Sequence, residues 1–199
     1  MSTFHTLTPC AAGYATLVLR GPDGPVYSKV RWPRPPVLDP VDAPEQPYPV
    51  TVVVSPRSGA TPPADTLACS FAAAGSLVLS LTVPIDPAGQ PAGHPGGGRS
   101  GDAGGDRRGD PGGDAAAAVG AVRTAIEWIA DHARELDGDP RRLTLVGQAG
   151  VTGLVADVAA TAEENGGPAI GQLLLLRTGP DPPPSATVTR LVPPSERRP

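Results

Sequence analysis

The chain has 199 residues and a formal net charge of -4. That length fits one domain with a core large enough to fold unaided. The mildly acidic balance, a single lysine at Lys29 and the lack of a basic stripe interleaved with aromatics argue against nucleic-acid binding.

The opening "MSTFHTLTPC" has no basic segment followed by an apolar one, so it does not read as a secretory leader. No apolar run nears the ~20 residues that a membrane span needs. Cys10 and Cys69 lie far apart, without a CxxC or a histidine at zinc-ligand spacing. Two isolated thiols fit a reducing cytoplasm, and neither a metal nor a cofactor is expected.

"YATLVLR" (14–20) and "PVYSKVRW" (25–32), joined by "GPDG", predict a β-hairpin. A Pro-rich stretch (33–49) then carries the chain in extended form to "VTVVV" (50–54). That run is apolar and β-branched throughout, as in a parallel strand covered on both faces. Leu67, Phe71 and Ala74 give "PPADTLACSFAAAGS" (62–76) helical spacing, with Gly75 as its stop. "LVLSLTV" (77–83) predicts another buried strand.

Eleven of the 25 residues from Gly89 to Gly113 are glycine, and almost nothing there is apolar. Such a segment cannot bury enough surface to offset its ordering entropy, so 88–113 is expected to be a disordered or loosely held loop. Asp114 reads as the N-cap of the helix that follows. Val119, Val122, Ile126, Ile129, Ala133 and Leu136 recur at steps of three and four, giving one apolar face. "DGDPRR" (137–142) breaks this helix.

The strand "LTLV", a glycine turn and a helix over 152–164 come next, with "NGGP" as the stop. "GQLLLLR" (171–177) predicts a last buried strand, and a Pro-rich tail occupies 179–199, where only "ATVTRLV" could pair weakly. Strands alternating with helices predict an α/β fold: a three-layer sandwich around a mixed, mostly parallel sheet, in one domain over 1–199.

In order and spacing, five segments resemble the hormone-sensitive-lipase-like esterase branch of the α/β-hydrolase superfamily. They are the hairpin "GPDGPVYSKVRWPRP", "PVTVVVSPRSG" (49–59), "AAAGSLVLSLTVPIDPA" (72–88), "AIEWIADHARELDGDPRRLTLVGQAG" (125–150) and "GGPAIGQLLLLRTGPD" (166–181). In the family the second ends in HGGG, the third in DYRLAPE, and the fourth in the GDSAGG nucleophile elbow. The resemblance also implies about two further strands and a longer N-terminal cap, so the chain is expected to be a truncated member. The sheet would then lack its last two strands. The apolar strand 171–177 would be left as an edge open to self-association or to a partner chain.

Carried over position by position, the chemistry is absent. In the family's G-x-S-x-G elbow a sharp turn lifts the serine above the sheet. Here the elbow is Gly147, Gln148, Ala149, Gly150 and Val151, with Ala149 at the serine position and Val151 at the second glycine. A methyl group cannot attack a carbonyl. Thr152 is the nearest hydroxyl, three residues past the apex. Ser55, Pro56, Arg57 and Ser58 replace HGGG, whose glycines let backbone N–H groups face a developing oxyanion. Pro56 has no N–H, and Arg57 reads as a surface arginine. Gly150 could keep one donor.

The family's acid and base follow the elbow in the chain. No histidine follows His132, and Asp181 comes too early to match the acid. His5, His94 and His132 each read as exposed. Three readings follow. The first is an esterase-like homologue that has lost carboxylester hydrolysis, a pseudoenzyme. The second is an active carboxylester hydrolase using Thr152 or residues supplied by a partner. The third is a dinucleotide-binding turn through Gly147, Gly150 and Gly153, with Arg177 near a 2′-phosphate.

Overall fold

The computed structural model describes residues 13–33, 46–57, 63–85, 111–162, 164–176 and 186–189. The Pro-rich stretch 34–45, the Gly-rich residues 86–110, and Ser58, Arg177, Asp181, His5 and His94 lie outside them. The hairpin forms as expected. β1 (Tyr14–Gly21) and β2 (Gly24–Arg31) pair antiparallel around the two-residue loop Pro22-Asp23, with Gly21 opposite Gly24.

β3 (Tyr48–Pro56) carries the valine run. β4 (Leu77–Val83) and β5 (Gly138–Gly147) flank it, both parallel to it. β6 (Gln172–Leu176) runs parallel to β5, and β7 (Ala186–Thr189) pairs antiparallel with β6. The seven-stranded sheet has the order β1-β2-β4-β3-β5-β6-β7, with four parallel strands at its centre.

Three layers follow from the two-residue period of the central strands. Val50, Val52 and Val54 of β3 face one side with Leu77, Leu79 and Leu81 of β4 and Leu143 and Leu145 of β5. There they meet α2 (Pro111–His132) and α3 (Thr152–Ala162) through Val122, Ile126, Ile129, Val155 and Val158. Val53, Val78 and Val146 face the other side, against Ala68 and Ala72 of α1 (Ala64–Ala73). Each fully buried aliphatic side chain contributes roughly 1.5–3 kcal/mol, so these two faces set the stability of the fold.

Several expectations shift. The buried positions of α1 are Ala68 and Ala72, while Leu67 and Phe71 pack at the margin and Ala74 is exposed. Small side chains let this helix lie close on the valines. α2 begins at Pro111, three residues inside the segment expected to be irregular, and Asp114 sits in its first turn rather than at its N-cap. A proline at the opening of a helix loses nothing, because the first N–H groups have no intrahelical partner. Gly75, with φ 93, ends the α1 segment as expected.

The break after α2 is narrower than "DGDPRR". A short 3-10 turn (Ala133–Leu136) leads to Asp137, which takes the left-handed conformation at φ 60. From Gly138 the chain is already strand, pairing with Tyr48. Its register jumps from Pro49–Asp139 to Val50–Leu143, so the surplus residues are absorbed as a bulge.

At the far side, Leu173 is buried but Leu174, Leu175 and Leu176 are only half-buried, because β6 stands next to the sheet's margin. The outer side of β6, expected to be open for a partner, is paired within the chain. Leu173 to Leu176 lie opposite Thr189 to Ala186 of β7.

Candidate functional site

The parallel strands β3, β4 and β5 point their carboxyl ends the same way, which is where α/β sheets place ligands. At the end of β5, Gly147 pairs with Val54, and the Gln148 N–H donates to the Val54 carbonyl at 3.0 Å. The chain then reverses. The Val151 N–H donates to the Gln148 carbonyl at 3.0 Å, and the Val155 N–H donates to that of Val151, starting the helical ladder of α3.

Ala149 and Gly150 are therefore the central residues of a hydrogen-bonded turn. Gly150 has φ 94, and among the described residues Asp137 is the only non-glycine at positive φ. This is the sign pattern of a type II turn, which demands glycine at its third position. The turn is an ordinary one, with its left-handed residue a glycine and not Ala149 at the apex.

Burial explains the rest of the sequence here. Gln148 and Val151 are both 1% exposed, whereas Ala149 is half-buried and Gly150 exposed. Val151, at the position of the family's second glycine, belongs to the main core. Thr152 is the first residue of α3 and half-buried, one residue beyond the turn. The apex thus carries a methyl group just past the carboxyl end of β5.

The packing of Gly147 and Gly153 differs from that of a dinucleotide-binding turn. A Cβ on Gly147 would lie 3.0–3.2 Å from the side chain of Val155, so Gly147 lets α3 close onto β5. In a dinucleotide turn the third glycine does that work. Gly153 is exposed, with open space where its Cβ would be.

On β3, Ser55 and Pro56 are buried and pair with Thr82 and Val83. The Ser55 hydroxyl has no hydrogen-bond partner among the described residues. Such a loss costs about 1–3 kcal/mol. Pro56 offers no donor, and Arg57 is exposed. His132 closes α2, just before the turn that leads into the amino end of β5, whereas Ala149 follows the carboxyl end of that strand. Its Nδ1–H donates to the Trp128 carbonyl at 2.8 Å, and its ring stacks on the half-buried Trp128 with centroids 4.6 Å apart. His132 has no part in the elbow.

A second polar cluster went unseen in the sequence. Asp65, in the first turn of α1, accepts from Lys29 at 3.0 Å and from Arg31 at 2.7 Å. The Arg31 side chain is only 6% exposed and also donates to the Ser80 hydroxyl at 3.0 Å. Burial alone would raise the Asp65 pKa. The hydrogen bonds and charges of Lys29 and Arg31 outweigh it and hold the carboxyl below its ordinary 3.8. Alternation along β2 carried the only local signal, because Lys29 and Arg31 share the face opposite Val26 and Val30.

No family model matches the chain, and no curated protein matches it in sequence. Solved structures match it as folds. A hyperthermophilic esterase from Pyrobaculum calidifontis superposes with a TM-score of 0.55 at 18% identity, over 81% of this chain and 43% of that one. The esterase LipW from Mycobacterium marinum gives 0.53 at 22% identity, over 84% and 44%. A bacterial heroin esterase gives 0.58 at 20% identity, over 86% and 46%. The chain spans less than half the length of each of these esterases, and it has their α/β-hydrolase fold. No helix among the described residues is long and apolar enough to cross a membrane.

Proposed function

On the α/β-hydrolase fold shared with these esterases, we propose that the chain is an esterase-like homologue that has lost carboxylester hydrolysis and acts in the cytoplasm. Ala149 carries the reading. It stands at the apex of the strand–turn–helix where the fold mounts its nucleophile, and a methyl group forms no acyl intermediate.

The surroundings support it. Pro56 removes a backbone donor from the strand end where the oxyanion would be held. Within the 199 residues no histidine follows His132, and His132 itself is committed to Trp128. Residues of a triad act as a unit, so losing them removes on the order of a million-fold in turnover. The two isolated cysteines are the support for the cytoplasm.

The test is hydrolysis of p-nitrophenyl butyrate by the purified chain, beside Thr152→Val and a heat-denatured sample. All three are expected to give the same background rate. Turnover in the wild type that disappears in Thr152→Val would establish a hydrolase with a non-standard nucleophile instead.

A further inference from the structure

A cleft of about 300 Å³ opens beside the hairpin on the α1 side of the sheet, and no residue of the 147–151 turn lines it. Thr16, Tyr27 and Lys29 form one wall, and Ser80 and Thr82 of β4 form its floor. Arg57, just past β3, and Asp65, in the first turn of α1, close the far side.

Charge at this cleft is unbalanced. Asp65 is shared between Lys29 and the buried Arg31, so one carboxylate faces two cations. Arg57 also lines the cleft, and it has no ion-pair partner among the described residues. Among the described residues that line the cleft, two positive groups, Lys29 and Arg57, face one negative, Asp65. The buried Arg31 also neutralises Asp65, and a low-dielectric wall would focus that surplus on the opening.

The same face is apolar as well. Register sets Tyr14 opposite Arg31, Thr16 opposite Lys29 and Val18 opposite Tyr27, all on the outward side of the hairpin. Tyr14, Val18 and Tyr27 are the large hydrophobic residues left exposed among the described ones, at 67%, 58% and 66%. Uncovered aromatic surface beside surplus positive charge mark a site for a ligand that carries both characters.

We propose that this cleft binds a small organic anion, a carboxylate on an aromatic or aliphatic body. The carboxylate would be held by Arg57 and Lys29, with the Thr16 and Thr82 hydroxyls in reach, and the apolar body would lie on Tyr27. The arrangement is independent of the elbow and holds whether or not the chain hydrolyses esters. A free phosphate would leave the tyrosine unused, and a neutral ring would leave the cations unused.

Titration of the full 199-residue chain, followed by amide NMR, tests this with three probes: benzoate, benzyl alcohol and inorganic phosphate. Benzoate is expected to shift the signals of Thr16, Tyr27, Lys29 and Thr82 saturably, and the other two to bind at least about fivefold more weakly. Arg57→Gln changes an exposed side chain, so its melting temperature should match the wild type while benzoate affinity falls by about fivefold or more. Absence of saturable shifts at these residues would overturn the assignment. So would an unchanged affinity in Arg57→Gln, or phosphate or benzyl alcohol binding as tightly as benzoate.

Discussion

The backbone of Gly147 lies so close to Val155 that a single added Cβ would come within 3.0 Å of the valine's own Cβ. This approach gives Gly147 a packing role that does not depend on any chemistry at the elbow. Gly147→Ala is expected to destabilise the fold by about 1–3 kcal/mol through overpacking. Adding Val155→Ala should relieve the overlap, so the double variant should lose less in urea denaturation than the two single losses summed.

The other two glycines of the stretch should respond in opposite senses. Gly150 sits at φ 94, so Gly150→Ala forces an alanine into the left-handed region and should cost about 1 kcal/mol or more. Gly153 lies in α3 with open space at its Cβ position, so Gly153→Ala should stabilise by about 0.5–1 kcal/mol. Urea melts of the two variants check both signs.

Asp65 makes stability depend on acid. Its folded pKa lies below 3.8, so its contribution is complete above the unfolded value and is lost as pH falls through the folded one. Asp65→Asn leaves the buried Arg31 without its counter-charge. Because the Asp65 side chain is 59% exposed and solvent screens the pair, the expected loss is only about 1 kcal/mol at pH 7. The gap between wild type and variant should close as pH drops below 3.8, measured as the urea midpoint at each pH.

Covering of the β6 edge by β7 also has a consequence in solution. A chain ended before Ala186 would leave the apolar strand Leu173–Leu176 unpaired on one side. Open edges of this kind template pairing between chains. The shortened chain is therefore expected to associate more than the full one at equal concentration, as read by light scattering on a sizing column.

What was legible in the sequence was what repeats locally. The valines of β3 and the leucines of β4 announced two-sided burial because every second residue met a different helix layer. The stripe from Val119 to Ala133 announced α2 in the same way, through Val122, Ile126 and Ile129. Pro111 hid the true start of that helix, since the glycines around it read as irregular chain. β7 was almost invisible, being four residues flanked by prolines, and its pairing with β6 depends on contact rather than propensity.

The strand–turn–helix of the elbow was legible because its residues are contiguous, from Gly147 to Val151. The form of its turn was not. Only coordinates show that Gly150, not Ala149, carries the positive φ. The Arg31–Asp65 pair joins residues 34 apart, and nothing near either one points to the other. The cleft beside Arg57 gathers its walls from β1, β2, β4 and α1, so no single stretch could announce it.

The most direct measurement is the reaction of Ala149→Ser, beside the wild type, with a fluorophosphonate probe and with p-nitrophenyl butyrate. If the site lacks a base and all but the Gly150 oxyanion donor, the new serine will neither be labelled nor turn over ester above the denatured background. Turnover or labelling already present in the wild type would contradict a lost activity, and either one restored by that single substitution would contradict the loss of base and oxyanion donors.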